Sequence, residues 1–103
     1  MSHLIQILLP LHDSAGQPFA PSLYARIAGE LTERFGGLTA FERSPGEGLG
    51  RDEGASTQRD VVVVHEVMFE ELDAPWWGGY RGQLERLFRQ DEIVMRSTAI
   101  VRL

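Results

Sequence analysis

From His3 to Leu11 the chain reads HLIQILLPL, a short run of branched apolar residues closed by Pro10 and the polar group His12-Asp13-Ser14-Ala15-Gly16. That pattern predicts a buried strand running into a loop. Leu23, Ile27, Leu31 and Phe35 then follow at spacings of four, with Pro21 ahead of them and Gly36-Gly37 behind. A proline suits the first turn of a helix and a glycine suits its end, so this stretch predicts an amphipathic helix of about four turns. Its charged residues Arg26, Glu30, Glu33 and Arg34 can pair on the solvent side.

Leu38 to Arg43 alternates weakly and predicts a second, edge strand; residues 44–59, SPGEGLGRDEGASTQR, form a long loop. Asp60 to Glu70, DVVVVHEVMFE, predicts a central strand buried on both faces. Asp73 is placed to cap a second helix with Pro75 in its first turn, and Trp76, Tyr80, Leu84 and Leu87-Phe88 supply its apolar stripe. Gly78, Gly79 and Gly82 weaken the first half of that helix, so packing or function is expected to hold it. Glu92 to Leu103 closes the chain as a fourth strand.

The order strand, helix, strand, strand, helix, strand is that of the ferredoxin-like split βαβ fold. In that α+β arrangement the antiparallel sheet has the order 4-1-3-2, and both helices cover a single face. The whole chain, residues 1–103, forms one such domain. Its other sheet face is the informative surface, because an apolar open face has to find something to cover it.

Alternation along the first strand sends His3, Ile5, Ile7, Leu9 and Leu11 toward the helices and Leu4, Gln6 and Leu8 to the open face. On the last strand Ile93, Met95, Ala99 and Val101 turn inward; Val94, Arg96, Thr98, Ile100 and Arg102 turn outward. The third strand reads both ways. We take Val62, Val64, Glu66 and Met68 as outward, although Val61, Val63, His65, Val67 and Phe69 are as apolar. The open face is then aliphatic and crossed by Gln6, Glu66, Arg96 and Thr98. A second copy packing sheet against sheet would cover it, which predicts a homodimer, and an apolar small molecule could share the space.

Composition closes several routes. All ten basic residues are arginine, and lysine, asparagine and cysteine are absent. Schiff-base and phosphate-loop lysines, thiolate nucleophiles, redox pairs and thiolate zinc sites are thereby excluded, and no cofactor is predicted. The formal charge of −5 and the scattered arginines argue against nucleic-acid binding. Pro10 and Gln6 interrupt the only early apolar run, so neither a secretory signal nor a spanning helix is expected; the predicted location is the cytoplasm, away from membranes.

The layout resembles the dimeric α+β barrel superfamily, and in particular small bacterial proteins of that type whose activity is not established. The resemblance rests on the element order, on the junction ERFGGLTAF from Glu33 to Phe41, and on WWGGYRGQLERLFRQDEI from Trp76 to Ile93. It implies the fold and dimerisation. Because that superfamily holds cofactor-free monooxygenases, isomerases, haem-degrading enzymes and ligand-binding modules, it implies no single reaction.

Glu66 is the sharpest chemical candidate, since a carboxylate on an aliphatic face is poised for general acid or base work once desolvated. The structural alternative is an ion pair with Arg96 or with an arginine of a partner copy. As an enzyme the chain would be a cofactor-independent oxygenase or isomerase acting on an apolar molecule, with Arg96 stabilising developing negative charge. His65, mid-strand and opposite Glu66, is a further catalytic candidate whose structural alternative is a core histidine. His3 and His65 fall about four residues apart along the sheet, roughly 13 Å at 3.3 Å per residue, so no metal site is predicted there. His12-Asp13-Ser14 cannot hold triad geometry and reads as a turn in which Asp13 caps backbone amides. Gly46-x-Gly48-x-Gly50 lacks the setting of a nucleotide loop. Trp76, Trp77 and Tyr80 could wall a pocket with Arg81 at its mouth, or simply pack the core. Trp77, off the expected stripe, is the better binding candidate of the two tryptophans. The ligand-binding set is therefore Gln6, Glu66, Trp77, Tyr80, Arg81 and Arg96.

Overall fold

A computed structural model of the chain describes residues 2–43 and 61–103, so the loop predicted over residues 44–59, with its glycine run, lies outside the described residues. The elements follow in the expected order: β1 (Ser2–Pro10), α1 (Pro21–Phe35), β2 (Thr39–Arg43), β3 (Val62–Phe69), α2 (Ala74–Leu87) and β4 (Val94–Ile100). The last two strands are shorter at both ends than the apolar runs that predict them.

Local chemistry sets the helix ends. Pro21 opens α1, and Gly36 ends it at φ 86°, where its N–H reaches the carbonyl of Thr32 at 2.7 Å. A side chain with a Cβ is strained at that angle, so glycine is the natural residue there. At the start of α2 the Asp73 carboxylate accepts from the Trp76 N–H at 3.1 Å, as the capping pattern predicts.

The four strands make one antiparallel sheet in the order β2-β3-β1-β4, which is 4-1-3-2 read from the other edge and consistent with a ferredoxin-like arrangement. Register resolves the ambiguity of the valine run. Gln6 pairs with Glu66 and Leu8 with Val64, so Val62, Val64, Glu66 and Met68 share a side with Leu4, Gln6 and Leu8. Ile5, Ile7, Leu9 and Val67 occupy the opposite side and are almost wholly buried. They form one cluster with Ile27 and Leu31 of α1 and with Trp77, Tyr80 and Leu84 of α2. Both helices therefore pack on the same side of the sheet.

One expectation about α2 is corrected. Its buried stripe is Trp77, Tyr80, Leu84 and then Phe88, whereas Trp76 is only half-buried and carries the Arg34 guanidinium 4.2 Å above its ring. Spacings of four from Trp76 and of three and four from Trp77 fit a helix equally well, and the tryptophan nearer the sheet is the second one. Trp77 stacks against Phe35 at a centroid distance of 5.1 Å and against Phe69 at 5.6 Å, which seals the seam between α1, α2 and β3. Packing does not account for the glycines: a Cβ added at Gly78 or Gly79 would meet nothing within 4 Å.

Candidate functional site

The helix-free side of the sheet is built in rows. Thr39, Glu66, Gln6 and Arg96 stand side by side on β2, β3, β1 and β4, flanked by the apolar row Phe41, Val64, Leu8 and Val94 and by Met68, Leu4 and Thr98. Among these, Phe41 is 41% exposed, Met68 50% and Val94 46%, while Val64 between Leu8 and Phe41 is buried. Six large aliphatic or aromatic side chains in these rows thus surround one polar line.

Within that line, Gln6 Nε2 donates to Glu66 Oε2 at 2.7 Å. The pairing is dictated by register, since Gln6 is the cross-strand neighbour of both Glu66 and Arg96. Glu66 and Arg96 stand two strand spacings apart, about 10 Å between backbones. The amide occupies the gap: Glu66 takes the Gln6 hydrogen bond, and the ion pair with Arg96, one of the structural alternatives open to it, does not form among the described residues.

Beside Glu66, Phe35 at the end of α1 and the turn from α1 into β2 border a cleft of about 300 Å³. Leu4, Met68 and Leu38 give it apolar walls, Gly36 and Gly37 bring backbone to its rim, and Glu66, Thr39 and Arg102 supply its polar groups. Arg102 also lies 3.9 Å from Glu70, whose carboxylate accepts from the Ser2 hydroxyl at 2.9 Å. Arg102, and not Arg96, shares this cleft with Glu66. Sequence alternation places Arg102 on this face, but only the α1-to-β2 turn tells which arginine shares the cleft. Thr39 is missed for the same reason.

The other expected site residues are elsewhere. Tyr80 is buried on the helix side, where its hydroxyl donates to Glu30 at 2.9 Å; burial first, and then the Glu30 carboxylate, push its pKa upward. Arg81 is exposed on α2 and lies 3.5 Å from Glu85 in an i,i+4 pair. Trp77, Tyr80 and Arg81 therefore stand across the sheet from Gln6, Glu66 and Arg96, and the structure does not bring the two groups together.

His65 is 1% exposed beneath the helices, on the side opposite Glu66, and among the described residues its Nδ1 has no hydrogen-bond partner. Loss of hydration lowers its pKa, opposed in part by the Val63 backbone. His3 pairs with Phe69 across the ladder while His65 pairs with Ile7, the four-residue offset predicted for the two imidazoles. Asp13 accepts from the N–H groups of Ala15 and Gln17, both at 2.9 Å, which makes the turn expected of it and holds its carboxyl below the usual range. Among the described residues no helix is long and apolar enough to cross a membrane. In comparisons with known proteins, no protein family, curated protein or solved structure matches the chain.

Proposed function

We propose that the chain is a ferredoxin-like, homodimeric module that binds an apolar small molecule through its helix-free sheet face. One observation carries this reading: Phe41, Met68 and Val94, each about half exposed, all lie on the side that no helix covers, around the polar line of Glu66, Gln6 and Arg96. Apolar side chains clustered on one face gain about 25 cal/mol for each Å² they remove from water, and a two-fold copy presents the same face in return. The Glu66 cleft then opens beside the joint, with apolar walls for the body of a ligand and Gln6, Glu66 and Arg102 for its polar end.

Native mass spectrometry beside denaturing spectra tests both halves of the proposal. A dimer is expected, and Met68→Glu combined with Val94→Glu is expected to yield a monomer that still unfolds cooperatively, its melting temperature lowered only by the loss of the dimer. A wild-type monomer at micromolar concentration would defeat the dimer, and a dimer that survives the double substitution would defeat this face as its joint.

A second reading is favoured by the position of Glu66 in that cleft: a cofactor-independent isomerase or oxygenase with Glu66 as general acid or base. Glu66→Gln separates the two, because it abolishes turnover of any substrate found but leaves assembly and binding of an apolar ligand within a few fold.

A further inference from the structure

The helix layer does not reach the edge of the sheet. All five residues of β2 are exposed, including Ala40, although Ala40 pairs with His65 and so points to the helix side. Between this bare strip of β2 and the start of α1 lies a hollow of about 590 Å³, within the range of small-molecule sites. Leu11 and Val63 form its floor, Phe19 and Tyr24 one wall, and Ala40 and Glu42 the other.

The aromatic wall is fixed in place. Phe88, wholly buried, meets Phe19 edge-on at 4.9 Å and Tyr24 at 5.6 Å, so both rings rest on the core. Phe19 is further held by the bond from its N–H to the Leu11 carbonyl at 3.0 Å, at the end of the Asp13 turn. A rigid apolar hollow spares a ligand the ordering that a mobile one demands.

The polar side chains of its lining have one sense. The Tyr24 hydroxyl donates to the Pro10 carbonyl. Burial and the nearby Glu42 carboxylate push its pKa up to about 12, so the phenol keeps its proton and that proton is already engaged. Tyr24 Oη and the Glu42 carboxylate are therefore both acceptors. Pro18 and Pro21 on the rim contribute no backbone N–H. The lining side chains offer no spare donor.

We propose that this hollow between α1 and β2 is a second binding site, for an apolar ring carrying a hydrogen-bond donor, a protonated amine or a hydroxyl, and that it rejects carboxylates. It lies mainly on the helix side of the sheet and reaches the β2 edge, where Phe41 borders both the hollow and the proposed dimer face. A carboxylate on the same skeleton would meet Glu42 with like charge and leave both acceptors unanswered.

Amide chemical-shift titrations of the full chain with 2-phenylethylamine, 2-phenylethanol and 3-phenylpropionate test the proposal. The amine and the alcohol are expected to shift Leu11, Phe19, Tyr24 and Ala40 saturably, and the carboxylate to bind at least tenfold more weakly. Glu42→Gln is expected to bring the amine down to the affinity of the alcohol. Ala40→Trp fills the hollow from an exposed strand position and is expected to remove binding while the melting temperature holds; Ala20→Trp, on the rim, repeats that block should the first variant fold poorly. Failure of both amine and alcohol to bind at millimolar concentration overturns the proposal, as does equal binding of the carboxylate or binding that survives both tryptophans.

Discussion

His65 and Glu66 are consecutive in the chain and opposite in circumstance. Among the described residues, the first is buried on the helix side with an unpartnered nitrogen; the second is half-buried on the face that no helix covers and takes a hydrogen bond from Gln6. Their neighbours along β3 are equally apolar, so the difference comes from the layer above each side and not from the strand. One face of this sheet is a finished core. The other is a surface with a core-like composition and, among the described residues, no second layer.

The comparison breaks first on stability. Leu84→Ala, beneath the helices, is expected to cost roughly 2–5 kcal/mol, because a wholly buried leucine leaves a cavity. Met68→Ala on the bare face is expected to change the unfolding free energy of the monomer by about 0.5 kcal/mol or less. Urea unfolding at low protein concentration measures both; equal losses would mean that the two faces are packed alike.

His65 sharpens the contrast through pH. Its folded pKa lies below the unfolded value of 6.5, so the unfolded chain binds the extra proton first. Stability is therefore intact above pH 6.5 and declines as the pH falls from there toward the folded pKa, by at most about 1.4 kcal/mol per pH unit for one proton. Unfolding midpoints compared at pH 7.5 and pH 5.5 should drop for the wild type, and His65→Leu should flatten that part of the slope. A profile that His65→Leu leaves untouched would assign the acid sensitivity to another group. On the bare face Gln6→Leu removes the hydrogen bond to Glu66 and is expected to cost about 1 kcal/mol, which Glu66→Gln in the same chain should partly restore, as read from denaturant unfolding.

Much of this contrast is legible in the order of residues. The alternation of Leu4, Ile5, Gln6, Ile7 and Leu8 states which side of β1 is polar, and the proline and glycine punctuation marks α1 at both ends. Alternation is silent where it is absent: Val61 to Val64 carries no phase of its own, and only pairing with β1 supplies one. Adjacent tryptophans are a similar degeneracy, since Trp76 and Trp77 each continue a helical stripe through Tyr80 and Leu84. The cleft at Glu66 and the hollow at Tyr24 were not legible. Both depend on how far a helix or turn extends over the sheet, a matter of layer widths that no local pattern encodes. Arg102 and Ala40 therefore gain their meaning only in three dimensions.

The middle place of β1 bears on how the fold is reached. Leu4 pairs with Met68 on one side and with Thr98 on the other, so β1 waits for β3 and β4, both later in the chain, before its backbone is satisfied. Such distant pairings close slowly, since long stretches of chain must be ordered before any ladder bond forms. During that interval HLIQILL is an unpaired apolar strand with both edges open, the segment of this protein most exposed to misassembly and to capture by chaperones.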